Sequence, residues 1–399
     1  MSGSEIEIAL WPRGPQAEQH FPAFLQRYYQ QNKMVRVKPV WMDMQNPWVD
    51  VNRAMIQKSG PDITELGISW VESLVATHNL RPFSPNEFAS FGGPKAFIMP
   101  AWKKLGDADA AYSIPHTTDA RHIYYRRDIL AGAGIDESTA FTTAQNVLQT
   151  LETLKRAGVK SPLVAPITVQ RMNLSFLASW VWGAGVDFID KTGTRATFDS
   201  PEAVAAIANY FRTMEYIAPE LRALDAAATD KKFALGDAAV AFSGSWLYHL
   251  IQKFPEYAHV KENLGLALPA GQACCGGTHL VIWQHCVQEE AAFDFIRFLS
   301  SPQVQADFSV LNFVMPARLE SSQLTPYAND PNYEILVKTI LSGRAYGASP
   351  FWNIVEERLS RMIVQLWPEY FDTPVVDANA FLATRLEPLA RRINITLED

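Results

Sequence analysis

The sequence predicts an α/β protein built from two lobes. Two observations carry that expectation. The chain has 399 residues, beyond the ~250–300 at which a single hydrophobic core stops growing. Its first third alternates short apolar strands with amphipathic helices, the pattern that builds a parallel sheet covered by helices on both faces. At 48% hydrophobic and 19% charged residues, the composition is that of a globular protein and leaves out disorder, collagen and coiled coil.

The elements follow in order. Residues 6–11 read as a first strand. Ala17, Phe21, Phe24, Leu25, Tyr28 and Tyr29 then recur at helical spacing and mark an amphipathic helix over 16–31. Val35, Val37 and Trp41 form a second strand, and a helix carrying Trp48, Val51 and Met55 closes at Gly60. A third strand covers 62–67, and Ser69-Trp70-Val71-Glu72 has the form of a capping box that opens the next helix. Beyond Pro115 helix predominates. A strand over 121–125 precedes a second capping box, Thr142-Thr143-Ala144-Gln145, heading a helix with Leu148, Leu151 and Leu154 that ends at Gly158. Helices are expected over 172–182 and 201–215, the latter started by Ser200 and Pro201. Strands over 238–242, 264–268 and 280–283 and helices over 289–299, 302–311, 331–342, 352–367 and 377–392 complete the chain. No linker or repeat offers a simple cut point, as when a chain crosses between lobes more than once.

With 35 basic and 42 acidic residues the net charge is −7, which argues against nucleic acid, a partner held through concentrated Lys and Arg. Three cysteines, Cys274, Cys275 and Cys286, make neither a disulfide framework nor a zinc spacing. The adjacent pair sits too close to bridge, whereas Cys275 with Cys286 stays open. No apolar run reaches membrane-spanning length. The N-terminus shows no basic segment followed by an apolar run, so no signal peptide is read; a cytoplasmic protein and the mature form of an exported one both fit. Eleven Trp and thirteen Tyr supply many amphipathic rings.

The segment Ile114-Pro115-His116-Thr117-Thr118-Asp119-Ala120-Arg121-His122-Ile123-Tyr124-Tyr125-Arg126-Arg127-Asp128-Ile129-Leu130 resembles the first lobe crossing of the maltose-binding-protein-like solute-binding proteins of ABC importers. Four further segments agree in order: Pro61-Asp62-Ile63-Thr64-Glu65-Leu66-Gly67-Ile68-Ser69-Trp70; the run from Phe233 through Gly236, Ala238 and Ala239 to Gly244-Ser245-Trp246; Leu268-Pro269-Ala270-Gly271 with Gly276-Gly277 and the helix bearing Phe295, Phe298 and Gln305; and Val314-Met315-Pro316-Ala317-Arg318. Each is weak alone, and their order gives them weight. The resemblance implies a two-lobed periplasmic-binding-protein fold, type II-like, with about three hinge crossings and the ligand held between lobes. It places one lobe at 1–116 plus 280–315 and the other at 117–279 plus 316–399. It further implies a small carbohydrate ligand, a membrane permease as partner, a monomer, no cofactor, no metal, no catalysis, and a place in the periplasm or on the outer face of the membrane.

A sugar offers apolar C–H faces and a rim of hydroxyls, so flat rings with carboxylates and amides suit it. Trp246, after Gly244 at a strand end, holds the position where open α/β sheets place ligands. Trp11 and Pro12 stand just past the first strand, and Trp70 opens a helix near Glu65 and Ser69. The family's crossing segment marks Asp119 as a hydroxyl acceptor, with Thr117 and Arg121 beside it. Trp180 and Trp182 cannot share a helix face, and Trp182 is the expected contact. Gly277, Thr278 and His279 lie at the return crossing, where bare backbone can approach a ligand. Trp352, beside Phe351, begins a late helix, and Asn46 joins the set with Trp48.

The spacing His116-x-x-Asp119-x-x-His122 mimics a metal site but falls on alternating strand positions. No nucleophile elbow, phosphate loop, dinucleotide fingerprint or zincin helix occurs. Two other readings compete. A glycoside hydrolase would need paired carboxylates ~5–9.5 Å apart, and a binding protein for a polyamine, peptide or chelate would want carboxylates in place of rings.

Overall fold

A computed structural model describes residues 4–14, 16–43, 47–98, 111–269, 271–346, 352–372 and 377–398. Along the chain run β1 (Ser4–Leu10), α1 (Ala17–Gln31), β2 (Val35–Trp41), α2 (Pro47–Gln57), β3 (Ile63–Gly67), α3 (Ile68–Ala76), α4 (Pro85–Ser90) and β4 (Ile114–Arg126). Then come α5 (Arg127–Gly132), α6 (Ala144–Arg156), β5 (Leu163–Val164), α7 (Gln170–Gly183), α8 (Pro201–Met214), α9 (Ala226–Ala234), β6 (Val240–Gly244), α10 (Ser245–Lys253), α11 (Ala258–Glu262) and β7 (Leu264–Ala267). The remainder is β8 (Cys275–Ile282), α12 (Glu289–Leu299), α13 (Pro302–Leu311), β9 (Met315–Pro316), α14 (Leu319–Gln323), α15 (Pro331–Ser342), α16 (Trp352–Asp372) and α17 (Ala378–Glu398).

The chain divides into two compact units, Met1–Asp119 with Cys275–Asp330 and Ala120–Cys274 with Pro331–Asp399. The expected division put 117–119, 275–279 and 316–330 in the second unit; they belong to the first. Local bonding explains why. Thr117 and Thr118 pair with Pro316 and Met315, Thr278 pairs with Gly67 on β3, the Arg318 N–H donates to Gln305 Oε1 at 2.6 Å, and the Ser321 hydroxyl donates to Pro302 O at 2.8 Å.

In the first unit β1 lies between β2 and β3, parallel to both, and β8 runs antiparallel to β3. Side chains on a strand alternate faces, and this sheet buries both. Ile6, Ile8 and Leu10 meet Phe21, Phe24 and Tyr28 of α1 and Phe295 and Phe298 of α12. Ala9 and Trp11 of the opposite parity meet Trp70, Val71 and Leu74 of α3 and Val51 of α2. His116 on β4 is fully buried, its ring 4.5 Å from that of Phe308.

In the second unit the later part of β4 pairs antiparallel with β6 and β7, and β5 pairs parallel with β6. Phe242 of β6 packs on Trp180 of α7 at 5.2 Å, Trp180 meets Tyr210 of α8, and Phe211 stacks on Trp367 of α16 at 3.9 Å. The three cysteines are buried and form no disulfide with one another. No helix among the described residues is long and apolar enough to cross a membrane.

Two caps differ from expectation. Ser69 heads no capping box, because β3 passes into α3 at Gly67, which takes the N-cap position. A capping box does form one helix later, where Ser84 and Glu87 bond reciprocally. The α6 cap is Thr143, whose hydroxyl accepts from the Asn146 N–H at 3.1 Å.

Candidate functional site

Three candidates of the first unit, Trp11, Thr117 and Thr278, gather with Arg13 around Glu65, which is 1% exposed. The Trp11 N–H donates to its Oε2 at 3.1 Å, the Thr278 hydroxyl donates to its Oε1 at 2.6 Å, and Arg13 Nη1 lies 3.6 Å from Oε1. Arg13 Nη1 also reaches the Thr117 hydroxyl at 3.4 Å, and Thr117 and Thr278 share a hydrogen bond of 2.7 Å. With Thr278 donating to Glu65, the shared proton comes from Thr117, so donors run from Arg13 through Thr117 and Thr278 to the carboxylate. A buried charge requires this degree of pairing. Glu65 was expected to accept sugar hydroxyls; its oxygens are engaged within the protein, and Arg13, with its side chain 24% exposed, is the least buried member of the set.

The rings of this unit are mostly core. Trp11 is 8% and Trp70 4% exposed, their centroids 5.7 Å apart, and Trp48 packs on Trp70 at 4.8 Å. The expectation that Trp11 and Trp70 present open faces therefore meets a parity effect: both lie on the sheet face covered by α2 and α3. The Trp11 indole N–H is used as well, donating to Glu65 O at 2.8 Å. Arg13 lies over the Trp11 ring at 5.3 Å. His279 is buried and bonded through Nδ1 to the Ser113 hydroxyl at 2.7 Å. Pro12, Ser69 and Asp119 are half-buried. The space beside Gly277 is filled by protein, since a Cβ there would stand 2.2 Å from Thr117 O. Asn46 and Phe351 lie outside the described residues.

Two aromatic groups of the second unit hold its candidate residues. Trp246, at the start of α10, is half-buried, its N–H donating to Asp230 Oδ2 at 2.6 Å while the Ser243 hydroxyl donates to Oδ1 at 2.6 Å. The Arg121 guanidinium stands 5.0 Å from the Trp246 ring centre and 5.7 Å from that of Phe176, within cation–π range. Gly244 is required here: a Cβ would meet the Trp246 ring at 2.1 Å. Burial raises the Asp230 carboxyl to about 7, against the lowering effects of its two hydrogen bonds and of Arg121.

The other group gathers Trp182, Phe188, Tyr346 and Trp352. Tyr346 stacks on Trp352 at 4.2 Å and meets Trp182 edge-on at 5.4 Å. Trp182 donates to Asp187 Oδ1 at 3.1 Å, Asp187 also pairs with Arg344, and Arg344 lies over the Trp182 ring at 4.7 Å. Trp182 and Trp352 are 6% and 4% exposed. They face each other's neighbours within the unit, so the expected stacking surfaces are already occupied by protein rings.

Sequence reasoning missed Arg13, Asp230, Arg344 and Tyr346. Arg13 had a signal, since the strand-end position that marks Trp11 extends two residues on. Asp230 had none: it reads as one more polar residue beside Lys231 and Lys232, and its partner is sixteen positions away.

Comparison with known proteins agrees with this architecture. A maltose-bound MalE3 of T. maritima superposes with a TM-score of 0.81 at 20% identity, covering 97% of this chain and all of that one. A Thermotoga lettingae solute-binding protein bound to α-D-tagatose gives 0.80 at 18% identity, with 99% and 100% covered. An Agrobacterium radiobacter protein in complex with ribitol gives 0.79 at 16% identity, with 99% and 98% covered. No curated protein sequence matches the chain. The fold is thus that of the two-lobed periplasmic binding proteins. The model of the bacterial extracellular solute-binding proteins matches residues 23–335, and the chain belongs to that family.

Proposed function

We propose that this protein binds a small carbohydrate, from a monosaccharide to a short oligosaccharide, and delivers it to the permease of an ABC importer outside the cytoplasmic membrane. The observation that carries the reading is the Trp246 group. A half-buried indole, tied at its N–H and flanked by Arg121, offers a flat face with a charged donor beside it. That combination suits a C–H face edged by hydroxyls. The Arg121 guanidinium beside the Trp246 ring speaks against a polyamine or other cationic cargo. Membership of the family and the sugars and polyol held by similar structures support the same reading.

The test is a thermal-shift series with maltose, D-tagatose and ribitol. A ligand at 100 times its dissociation constant adds ~2.7 kcal/mol to stability, which is several degrees in melting temperature. No shift with any carbohydrate, together with a shift for a peptide or an amine, would replace the reading. Catalysis forms no part of it: oligosaccharide recovered intact after prolonged incubation is the expected outcome.

A further inference from the structure

Asp230 on α9 is 6% exposed, and a carboxylate so placed is costly unless each oxygen finds a donor. Here both do, and the donors are Ser243 at the end of β6 and the Trp246 indole at the head of α10, each at 2.6 Å. Two further contacts limit the ring. Its six-membered part lies so close to Gly244 that no Cβ fits between them, and Arg121 stands over it at 5.0 Å. The indole is therefore held at its N–H, along its edge and over a face, although it remains half-buried where Trp180 of the same unit is 3% exposed. Since the N–H is already spent, the ring has only its apolar surface to give a ligand.

We infer that Asp230 is a positioning residue for ligand binding, fixing the Trp246 ring in its stacking orientation without touching the ligand. Ordering the ring during folding removes that cost from binding. The inference rests on the reading of Trp246 as a ligand platform. Burial places the Asp230 titration near neutrality, so the indole environment follows pH there. The groups that face the carboxyl are Ser243, Trp246, Arg121 and Tyr124.

The experiment has a ligand-free arm and a ligand arm. In the first, the emission of Trp246 is taken as the difference between wild type and W246F. We expect it to change between pH 6 and 8 with a midpoint near 7, and to lose that dependence in D230N. In the second, calorimetry uses whichever of maltose, D-tagatose and ribitol raises the wild-type melting temperature. D230A lowers its affinity about tenfold, as for a lost hydrogen bond to a charged group, and has no further effect in the W246F background. S243A, which leaves the Asp230–Trp246 bond in place, gives a smaller loss in the same direction and serves if D230A does not fold. An indole signal indifferent to pH and to D230N overturns the inference, as does an equal loss from D230A with and without Trp246. If no sugar binds wild type, the functional reading fails, and the ligand-free arm still decides whether Asp230 governs the ring.

Discussion

Arg13 and Glu65 show what a single buried charge demands of its surroundings. Glu65 is almost wholly enclosed and Arg13 is 24% exposed, so removing the cation leaves a carboxylate that water reaches poorly. Arg13→Ala should cost roughly 1–3 kcal/mol in urea denaturation, the range for stranding a buried polar group, and less for Arg13→Lys, which retains the charge. Two other buried groups set opposing pH dependences. Burial holds His116 down to about 4, against the pull of Glu65. Between pH 4 and 6.5 the unfolded chain therefore binds the proton and the folded chain does not, so stability rises with pH through that window. Asp230 works the other way: its carboxyl is raised from 3.8 to about 7. The folded chain holds that proton between pH 4 and 7, and stability from this source falls as pH rises. Melting temperatures from pH 4 to 8 should show His116→Phe flattening the acid-side rise and D230N removing the fall toward neutrality. The reverse pairing would reject both assignments. The burial of His116 and of Asp230 could not be read from the sequence, because burial depends on what packs around a residue, not on its neighbours in the chain.

At the scale of elements, alternation was the readable signal. β1, β2 and β3 and helices α1 and α2 fall where period-2 and helical spacing place them. The extent of β4 was not readable: its thirteen residues include His116, Thr117 and Thr118, polar side chains that look like loop yet are buried. Trp11 and Trp70 were legible as large rings near strand ends, but which face they occupy depends on a parity fixed only once α2 and α3 cover the sheet. The two glycines of β8 separate backbone need from side-chain tolerance. Gly277 has φ +138°, and a Cβ there would stand 2.2 Å from the Thr117 carbonyl; at Gly276 the nearest atom is Asp119 Oδ1 at 2.9 Å. Backbone cannot yield as a carboxylate can. Gly277→Ala should lower the urea midpoint by an amount equivalent to roughly 1–3 kcal/mol, and Gly276→Ala by distinctly less. Equal losses would show that the strand, not the Thr117 contact, sets the requirement.

For the whole molecule, each unit is assembled from separated stretches of chain, and that organisation has an energetic consequence. The family resemblance gave the number of crossings, but the third fell at 330/331 because contacts of α14 with α13 and β9, invisible in local patterning, hold 316–330 to the first unit. The second unit depends on the chain's last stretch. α16 packs along α7 and α17 along α8, burying Leu359, Ile363, Trp367, Leu382, Leu386 and Ile393. Burying one such side chain contributes about 1.5–3 kcal/mol, so these six together contribute about 9–18 kcal/mol, as much as the 5–15 kcal/mol by which a typical protein is stable. A chain ending at residue 330 should keep a folded first unit and lose the second. The amide spectrum would then retain dispersed signals from β1, β2, β3 and β8, while proteolysis would cut within 120–274. Protection of α7 and α8 in the shortened chain would show that the second unit is held by its own first stretch, and α16 and α17 would then be additions to a complete core.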